Sequence, residues 1–200
     1  MMRKKIPQNV AHILCVLIGL LLLVITLTIH GSTAYANIDF DACELLTLED
    51  VQAVLAEKVE KRPGFPKNME YEGGKIVVSR CFYDAIFSNR MVGLHVTFRP
   101  NARYPKTLKE YIELSKYEKG ISKKTLEEAI SVQRIGNLAV WTVSEGVGNL
   151  NVYWKDYNIL VLTGTTKEDL EAAKFFAKKV INKLKRGVDY HLKKRGRLPS

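Results

Sequence analysis

A long apolar run near the amino terminus restricts the fold more than any other feature of this chain. Residues 13–29 are almost all apolar, and three basic residues at positions 3–5 precede them. Ala34 and Ala36 follow at the spacing that signal peptidases recognise. This order predicts a signal peptide over residues 1–36, cleaved after Ala36, that exports the rest of the chain to the periplasm or the extracellular space. Because a membrane span needs about 17–25 residues, the alternative is an N-terminal single-pass anchor with the domain outside.

Cys43 and Cys81 are the two cysteines that remain once this leader is set aside. Exported chains mature in an oxidising compartment, where two thiols usually pair. Their disulfide would close a loop of about 38 residues and stabilise the fold by roughly 4 kcal/mol. A metal site would need further cysteine or histidine ligands at short spacing, and the sequence has none. We therefore predict a structural disulfide, no metal and no cofactor.

The positive charge of the chain is concentrated at its carboxyl terminus. The formal net charge is +10, and residues 182–200 contribute seven basic residues against one acidic residue. The nearly neutral body is not a nucleic-acid-binding surface by composition. We predict that residues 187–200 form a disordered, solvated basic tail, and the alternative is that the basic cluster is a site for anions, either lipid headgroups or another envelope polyanion. The residues of this cluster are Lys183, Lys185, Arg186, Lys193, Lys194, Arg195 and Arg197.

A β-hairpin is the clearest local pattern in the exported part. Its strands are expected at residues 75–87 and 90–98, separated by a Ser-Asn turn. Residues 58–74, which precede the hairpin, are polar and contain five glycines and prolines, so a loop is predicted there. The hairpin indicates antiparallel strand pairing.

Helical and strand patterns divide the rest of residues 37–186, which we predict to be a single domain. The longest amphipathic helix follows Thr166 and is expected to end at Gly187. Short turns link most strands, so the expected fold class is α+β, with an antiparallel sheet built from hairpins and covered by two to four helices. The other expected helices are at residues 48–57, 107–119 and 122–129, and the other strands at 131–135, 138–144, 150–154 and 159–163.

Three motifs resemble a poorly characterised group of secreted bacterial domains, many of them lipoproteins. Residues 43–47 read Cys-Glu-Leu-Leu-Thr, similar to the Cys-x-Leu-Leu-Thr opening of that group. Cys81 resembles its second cysteine, which precedes an aromatic strand, and residues 135–141 resemble its Gly-Asp-x-Ala turn, with Asn137 replacing the aspartate. The resemblance implies a helix-covered antiparallel sheet, broadly like photosystem extrinsic protein P and the Ran-binding protein Mog. It implies no catalytic residue, and the lipid-attachment motif of the group is missing from this chain.

No assembled catalytic motif is present in the sequence. His95 lies on the face of its strand opposite the expected core and is expected to face solvent. Together with Tyr153 and Lys155 it makes up the set of possible ligand-facing residues. The residues expected on the core face of the same strand are Val92, Leu94, Val96 and Phe98.

The function predicted from these observations is that of a non-catalytic binding or accessory module of the cell envelope, with no nucleic-acid partner. This prediction rests on the small fold, the disulfide and the export signal, together with the lack of a recognisable catalytic motif in the sequence. One alternative is an envelope enzyme whose site forms only in the folded chain. The other is a membrane-tethered protein whose basic tail contacts lipid.

Overall fold

The structure is a computed structural model, described here for residues 40–62, 69–71, 76–117 and 121–194, without the side chains of residues 69–71 and 188–194. These residues belong to one compact unit that begins at Asp39. The predicted leader, residues 1–36, lies outside the described residues. Within the described part, none of the helices has the length and apolarity needed to cross a bilayer.

Five helices and eight strands are found in the described residues. The helices are α1 (Ala42–Leu45), α2 (Leu48–Leu55), α3 (Leu108–Ser115), α4 (Lys123–Glu127) and α5 (Lys167–Lys194). The strands are β1 (Val59–Lys61), β2 (Met69–Tyr71), β3 (Ile76–Ala85), β4 (Met91–Phe98), β5 (Ile130–Val132), β6 (Leu138–Ser144), β7 (Val147–Trp154) and β8 (Tyr157–Thr163).

All strands form one antiparallel sheet, which confirms the predicted α+β class. The order across the sheet is β1-β3-β4-β8-β7-β6-β5. Strands β1 and β2 both pair with β3: β1 lies along residues 83–85, and β2 lies along residues 76–78. The hairpin β3–β4 was predicted from the sequence and is confirmed. The loop predicted at residues 58–74 is wrong in part, because β1 and β2 come from this stretch and pair with β3.

One face of the sheet packs against α1, α2 and α5 and holds the main core. Alternate residues of the central strands point to this face and are fully buried, as are the facing residues of α5. The expected core residues Val92, Leu94, Val96 and Phe98 lie here, with Leu150, Ile159 and Val161 from β7 and β8 and Ala173, Phe176 and Val180 from α5.

The helix starts follow the capping patterns in the sequence. The Thr47 hydroxyl accepts from the Asp50 N–H at 3.3 Å, and the Asp50 carboxylate accepts from the Thr47 N–H at 3.1 Å. Thr166 and Asp169 repeat this reciprocal arrangement at the start of α5. The end of α5 differs from the prediction, because the helical backbone continues through Gly187 to Lys194. The predicted stop at Gly187 is therefore wrong.

The predicted disulfide is confirmed between Cys43 on α1 and Cys81 on β3, whose Cα atoms are 5.2 Å apart. Two hydrogen bonds flank it. The Ala42 N–H donates to the Ser79 hydroxyl at 2.9 Å, and the Tyr83 hydroxyl donates to the Leu46 carbonyl. Since residues 79, 81 and 83 alternate along one face of β3, the start of the domain is held to the core side of the sheet at three successive positions.

Candidate ligand-binding site on the open face of the sheet

The second face of the sheet is covered at one end only. There α3 and α4 form a small second core with β6, made of Tyr111, Leu126, Ala129, Leu138 and Val140. The Asn151 amide donates to the Tyr111 hydroxyl at 3.5 Å. We call the part of this face formed by β3, β4 and β8 the open face, because no described helix packs on it.

Charged residues are rare in the strands that form the sheet. From β3 to β8, Arg80 and Asp84 are the charged residues of the strand segments. Asp84 is paired with Arg62, whose Nε and Nη2 atoms lie 2.9 and 2.5 Å from the two carboxylate oxygens. Arg80 has no carboxylate partner among the described residues, so its charge is not balanced locally.

Three polar side chains meet on the open face. Arg80 lies directly opposite His95 across the β3–β4 pair. Asn158 on β8 lies opposite Thr97, which is two residues beyond His95 on the same face of β4. Diagonal neighbours of this kind have Cα atoms about 7–8 Å apart, within reach of long side chains. Register alone therefore brings three polar groups from three adjacent strands together.

Each of these side chains carries a buried polar atom that has no hydrogen-bond partner among the described residues. The atoms are Arg80 Nε, His95 Nε2 and Asn158 Oδ1. Buried polar atoms in folded proteins are nearly always hydrogen-bonded, since a missing partner costs about 1–3 kcal/mol. Three such atoms on neighbouring strands form an incomplete polar cluster, which we call the Arg80 cluster.

Apolar side chains surround the Arg80 cluster. Phe82 packs edge-on against the His95 ring, with centroids 5.1 Å apart. Leu160 is opposite His95, and Leu162 is opposite Gly93. A Cβ at Gly93 would lie 2.9 Å from both Leu162 Cδ1 and Phe82 Cε1, so these two side chains close over the glycine. The cluster is thus a polar centre within an apolar rim, which is the usual composition of a small-molecule site.

His95 is uncharged at neutral pH in this environment. Burial of the ring, followed by the neighbouring positive charge of Arg80, lowers the pKa of His95 to about 4. A neutral imidazole has one N–H donor and one acceptor nitrogen. His95 lies on the face opposite the main core, as expected, but it is half-buried there, because its ring packs edge-on against Phe82 and its Nε2 atom is buried.

The described residues contain no group of three or more histidine, cysteine, aspartate or glutamate side chains that could hold a metal ion. The chemistry of the Arg80 cluster is instead that of a cation, a neutral imidazole and an amide. These groups bind by charge and by hydrogen bonds.

Comparisons with known proteins add no functional assignment. The extracellular domain of PknH from Mycobacterium tuberculosis is similar to this chain with a TM-score of 0.36 and 12% sequence identity, over 74% of this chain and 99% of that domain. No protein-family model matches the chain, and no curated protein matches it. The resemblance to secreted domains with a Cys-x-Leu-Leu-Thr opening therefore stays a prediction.

The other two ligand-facing candidates lie apart from His95. Tyr153 is on the same face of the sheet, opposite Asn158, but its ring packs against Tyr104 at 5.2 Å between centroids. Lys155 is in the turn between β7 and β8 with φ +51°, and its Nζ lies 4.8 Å from the centroid of the Trp154 ring. Tyr153 thus lies next to Asn158 at the boundary of the open face, whereas Lys155 lies in a turn at the end of the strands.

The carboxyl-terminal basic cluster begins on α5 and is partly neutralised. Lys183 donates to the Asp50 carboxylate at 3.2 Å, and Lys179 donates to the other oxygen of the same carboxylate. Lys185 and Arg186 are exposed. Lys193 and Lys194 are described only as helical backbone, and Arg195 and Arg197 lie outside the described residues.

A basic groove of about 370 Å³ runs along α5 beside this cluster. Its apolar wall is Phe175, whose side chain is 49% exposed. The residues that line it are Phe175, Lys178, Lys179, Asn182, Lys183 and Arg186. An exposed aromatic ring among lysines and an arginine is a combination typical of surfaces that contact lipid headgroups.

Sequence reasoning identified His95 but missed Arg80 and Asn158. Arg80 lies in a strand that was correctly predicted, whereas Asn158 lies just before the strand predicted at residues 159–163 and belongs to β8, which begins at Tyr157. A signal was present, because Arg80 is the basic residue in a ten-residue strand of otherwise mostly apolar composition. Recognising the cluster required the pairing of β4 with β8, which are separated by 58 residues and which no local pattern predicts.

Proposed function

We propose that this chain is an exported, non-catalytic binding module of the cell envelope, and that its ligand is held on the open face of the sheet. The observation that carries the proposal is the Arg80 cluster, with buried polar atoms on Arg80, His95 and Asn158 that lack partners. A ligand that supplies those partners would recover the cost of leaving them unpaired. The disulfide supports export, because such bonds persist in oxidising compartments.

The side chains favour binding over catalysis. A histidine that acts as a general base needs an orienting partner within hydrogen-bond reach. The carboxylate on the same face, Asp84, pairs with Arg62 and lies opposite Met91, four residues from His95 along β4. The cluster thus offers charge and hydrogen bonds without an activated nucleophile among the described residues.

The full chain, purified from the envelope fraction and incubated with a small-molecule extract of that fraction, tests this proposal by native mass spectrometry. We expect a retained small molecule on the wild type that is lost from the double variant His95→Leu/Asn158→Leu. Gln133→Leu makes a comparable amide-to-leucine change at an exposed position in the turn between β5 and β6, away from both proposed surfaces, and should leave retention unchanged. Retention of no molecule, or equal retention by all three proteins, would show that the open face is not a binding site.

A second function, contact with an anionic membrane surface, is favoured by the basic groove on α5. Lys178 and Arg186 lie in this groove beside the exposed Phe175 ring and have no ion-pair partner among the described residues. Each basic residue near an anionic bilayer contributes about 1 kcal/mol, and the contribution falls as salt rises. Together with the predicted leader, this would make the protein a peripheral or tethered envelope component.

Co-sedimentation with vesicles containing anionic lipid measures this contact. The double variant Lys178→Gln/Arg186→Gln should bind such vesicles about tenfold or more weakly than the wild type at low salt. Lys123→Gln/Lys124→Gln on α4 removes the same charge elsewhere and is the matched control. Equal binding by both double variants, or binding of neutral vesicles as strong as of anionic ones, would rule out a role for the groove.

A further inference from the structure

We infer that the ligand of the open face carries an oxyanion, a carboxylate or phosphate group, that binds to the Arg80 guanidinium. This inference rests on the proposed function and specifies its ligand class. The distribution of charge in the sheet supports it, because only two side chains of its main strands are charged. Arg80 and Asp84 are the charged residues of the segments β3 to β8, and Asp84 is already bound bidentately by Arg62.

The environment of Arg80 calls for an anion. Its Nε–H is buried on a face that also carries Phe82 and Leu160, so water is a restricted partner for this group. Burying part of a charge without a counter-charge is costly, and arginine in folded proteins is usually paired when it is buried. A carboxylate or phosphate matches the fork of guanidinium donors with two parallel hydrogen bonds.

The neighbours of Arg80 define where the rest of the ligand lies. The neutral His95 ring offers a hydrogen bond next to the guanidinium. Asn158 lies one strand further, and its Oδ1 atom is an acceptor without a partner. A ligand that follows this line would place its oxyanion over β3 and a hydroxyl or amine donor over β8. The Phe82 and Leu162 side chains, which close over Gly93, lie on the other side of His95 from Asn158 and provide apolar contact at the Arg80 end.

Among the carboxylate side chains that the structure describes on or beside these strands, Glu60 and Asp156 have partners other than Arg80. Glu60 on β1 forms an ion pair with Lys58 at 3.7 Å. Asp156, in the turn before β8, accepts from the Asn101 N–H at 3.0 Å. These two carboxylates are therefore engaged with groups other than Arg80.

The test measures the thermal unfolding of the full chain in phosphate, acetate and chloride at equal ionic strength and pH 7. Phosphate and acetate separate the two kinds of oxyanion. We expect a saturable rise of the unfolding temperature with at least one of them, relative to chloride, because a ligand that binds only the folded state stabilises it. Arg80→Met should reduce the apparent affinity by about tenfold to a hundredfold. Arg134→Met removes an exposed arginine in the turn between β5 and β6, at the far edge of the sheet, and should leave the affinity unchanged.

The nuclear magnetic resonance signal of the His95 ring gives a second readout. An oxyanion beside the ring should raise the pH at which this signal titrates in the wild type and in Arg134→Met, and should leave this pH unchanged in Arg80→Met. The folding of Arg80→Met is checked by its unfolding in chloride, and Arg80→Gln replaces it if methionine prevents folding.

An oxyanion response that is absent in the wild type, or identical in Arg80→Met, would overturn the inference. Its failure is distinguishable from failure of the proposed function. If retention of an envelope molecule depends on His95 and Asn158 but no oxyanion binds, the proposed binding function is supported and the inferred ligand class is wrong. If nothing is retained, the proposed function fails as well.

Discussion

Arg80 and His95 lie opposite each other across the β3–β4 pair, and each carries a buried nitrogen with no hydrogen-bond partner in the part of the chain that the structure describes. The two residues are 15 positions apart in the chain and are brought together by one hairpin. Burial of the ring, followed by the nearby positive charge of Arg80, lowers the pKa of His95 and keeps the ring neutral. The same pair therefore determines both the electrostatics of the open face and its response to pH.

The stability of the protein should fall as the pH drops from 6.5 to 4 because of His95. Its pKa is about 4 in the folded state and 6.5 in the unfolded chain, so the unfolded state binds more protons in this window. The contribution is fully present above pH 6.5 and is lost as the pH falls. Between pH 7 and pH 4.5 the loss should be about 2 kcal/mol. Urea unfolding of the wild type and His95→Gln at both pH values measures it, and an equal loss in the two proteins would contradict the assignment.

Removal of the disulfide should destabilise the domain strongly. In the double variant Cys43→Ala/Cys81→Ala the unfolded chain is no longer restrained, so the free energy of unfolding should decrease by about 2–4 kcal/mol. The hydrogen bond from Ala42 to Ser79 can still hold α1 on the sheet, so the fold should persist. Thermal unfolding under oxidising conditions measures the effect. Wild type measured with a reductant should approach the variant, and an unchanged melting curve would show that the bond is not a stabilising link.

Asp50 should contribute stability that disappears in acid. Burial of its carboxyl opposes ionisation, but hydrogen bonds from Lys179, the Thr47 N–H and Lys183 outweigh this effect and lower the pKa of Asp50 to about 2. Its stabilisation is present above the unfolded pKa near 3.8 and is lost as the pH falls to 2. Asp50→Asn should therefore unfold about 2 kcal/mol more easily than the wild type at pH 7. In denaturant titrations this difference should vanish near pH 2, and a constant difference would refute the mechanism.

Gly148 should not tolerate a side chain. A Cβ at this position would lie 2.1 Å from Trp141 Cη2 and 2.2 Å from the Gly164 carbonyl oxygen. Gly148→Ala should lower the free energy of unfolding by about 1–3 kcal/mol or more, since the buried indole and the backbone must both move. Gly187→Ala is the matched control, because nothing lies within 4 Å of that position and alanine favours the helix. Chemical denaturation of both variants is the measurement, and a neutral Gly148→Ala would contradict this packing.

Local sequence patterns determined most of the secondary structure. The alternation of Val92, Leu94, Val96 and Phe98 correctly identified the buried face of β4, and the Thr166 and Asp169 pair identified the start of α5. Such signals need only neighbouring residues, because strand faces repeat every two residues and caps act within one turn. The same local reasoning failed at Gly187, where the surrounding α5 sequence favours helix strongly enough to continue through a glycine.

The sequence by itself determined that this chain contains a cysteine pair in a small α+β domain and that its charge lies in a basic C-terminal cluster. The tertiary structure alone decided that Arg80, His95 and Asn158 share one surface, because this depends on β4 pairing with β8 across 58 intervening residues. It also decided that Lys179 and Lys183 are bound to Asp50 instead of lying free. Both outcomes follow from long-range packing, in which the burial of one face of the sheet sets the register and the register then places the polar residues of the other face.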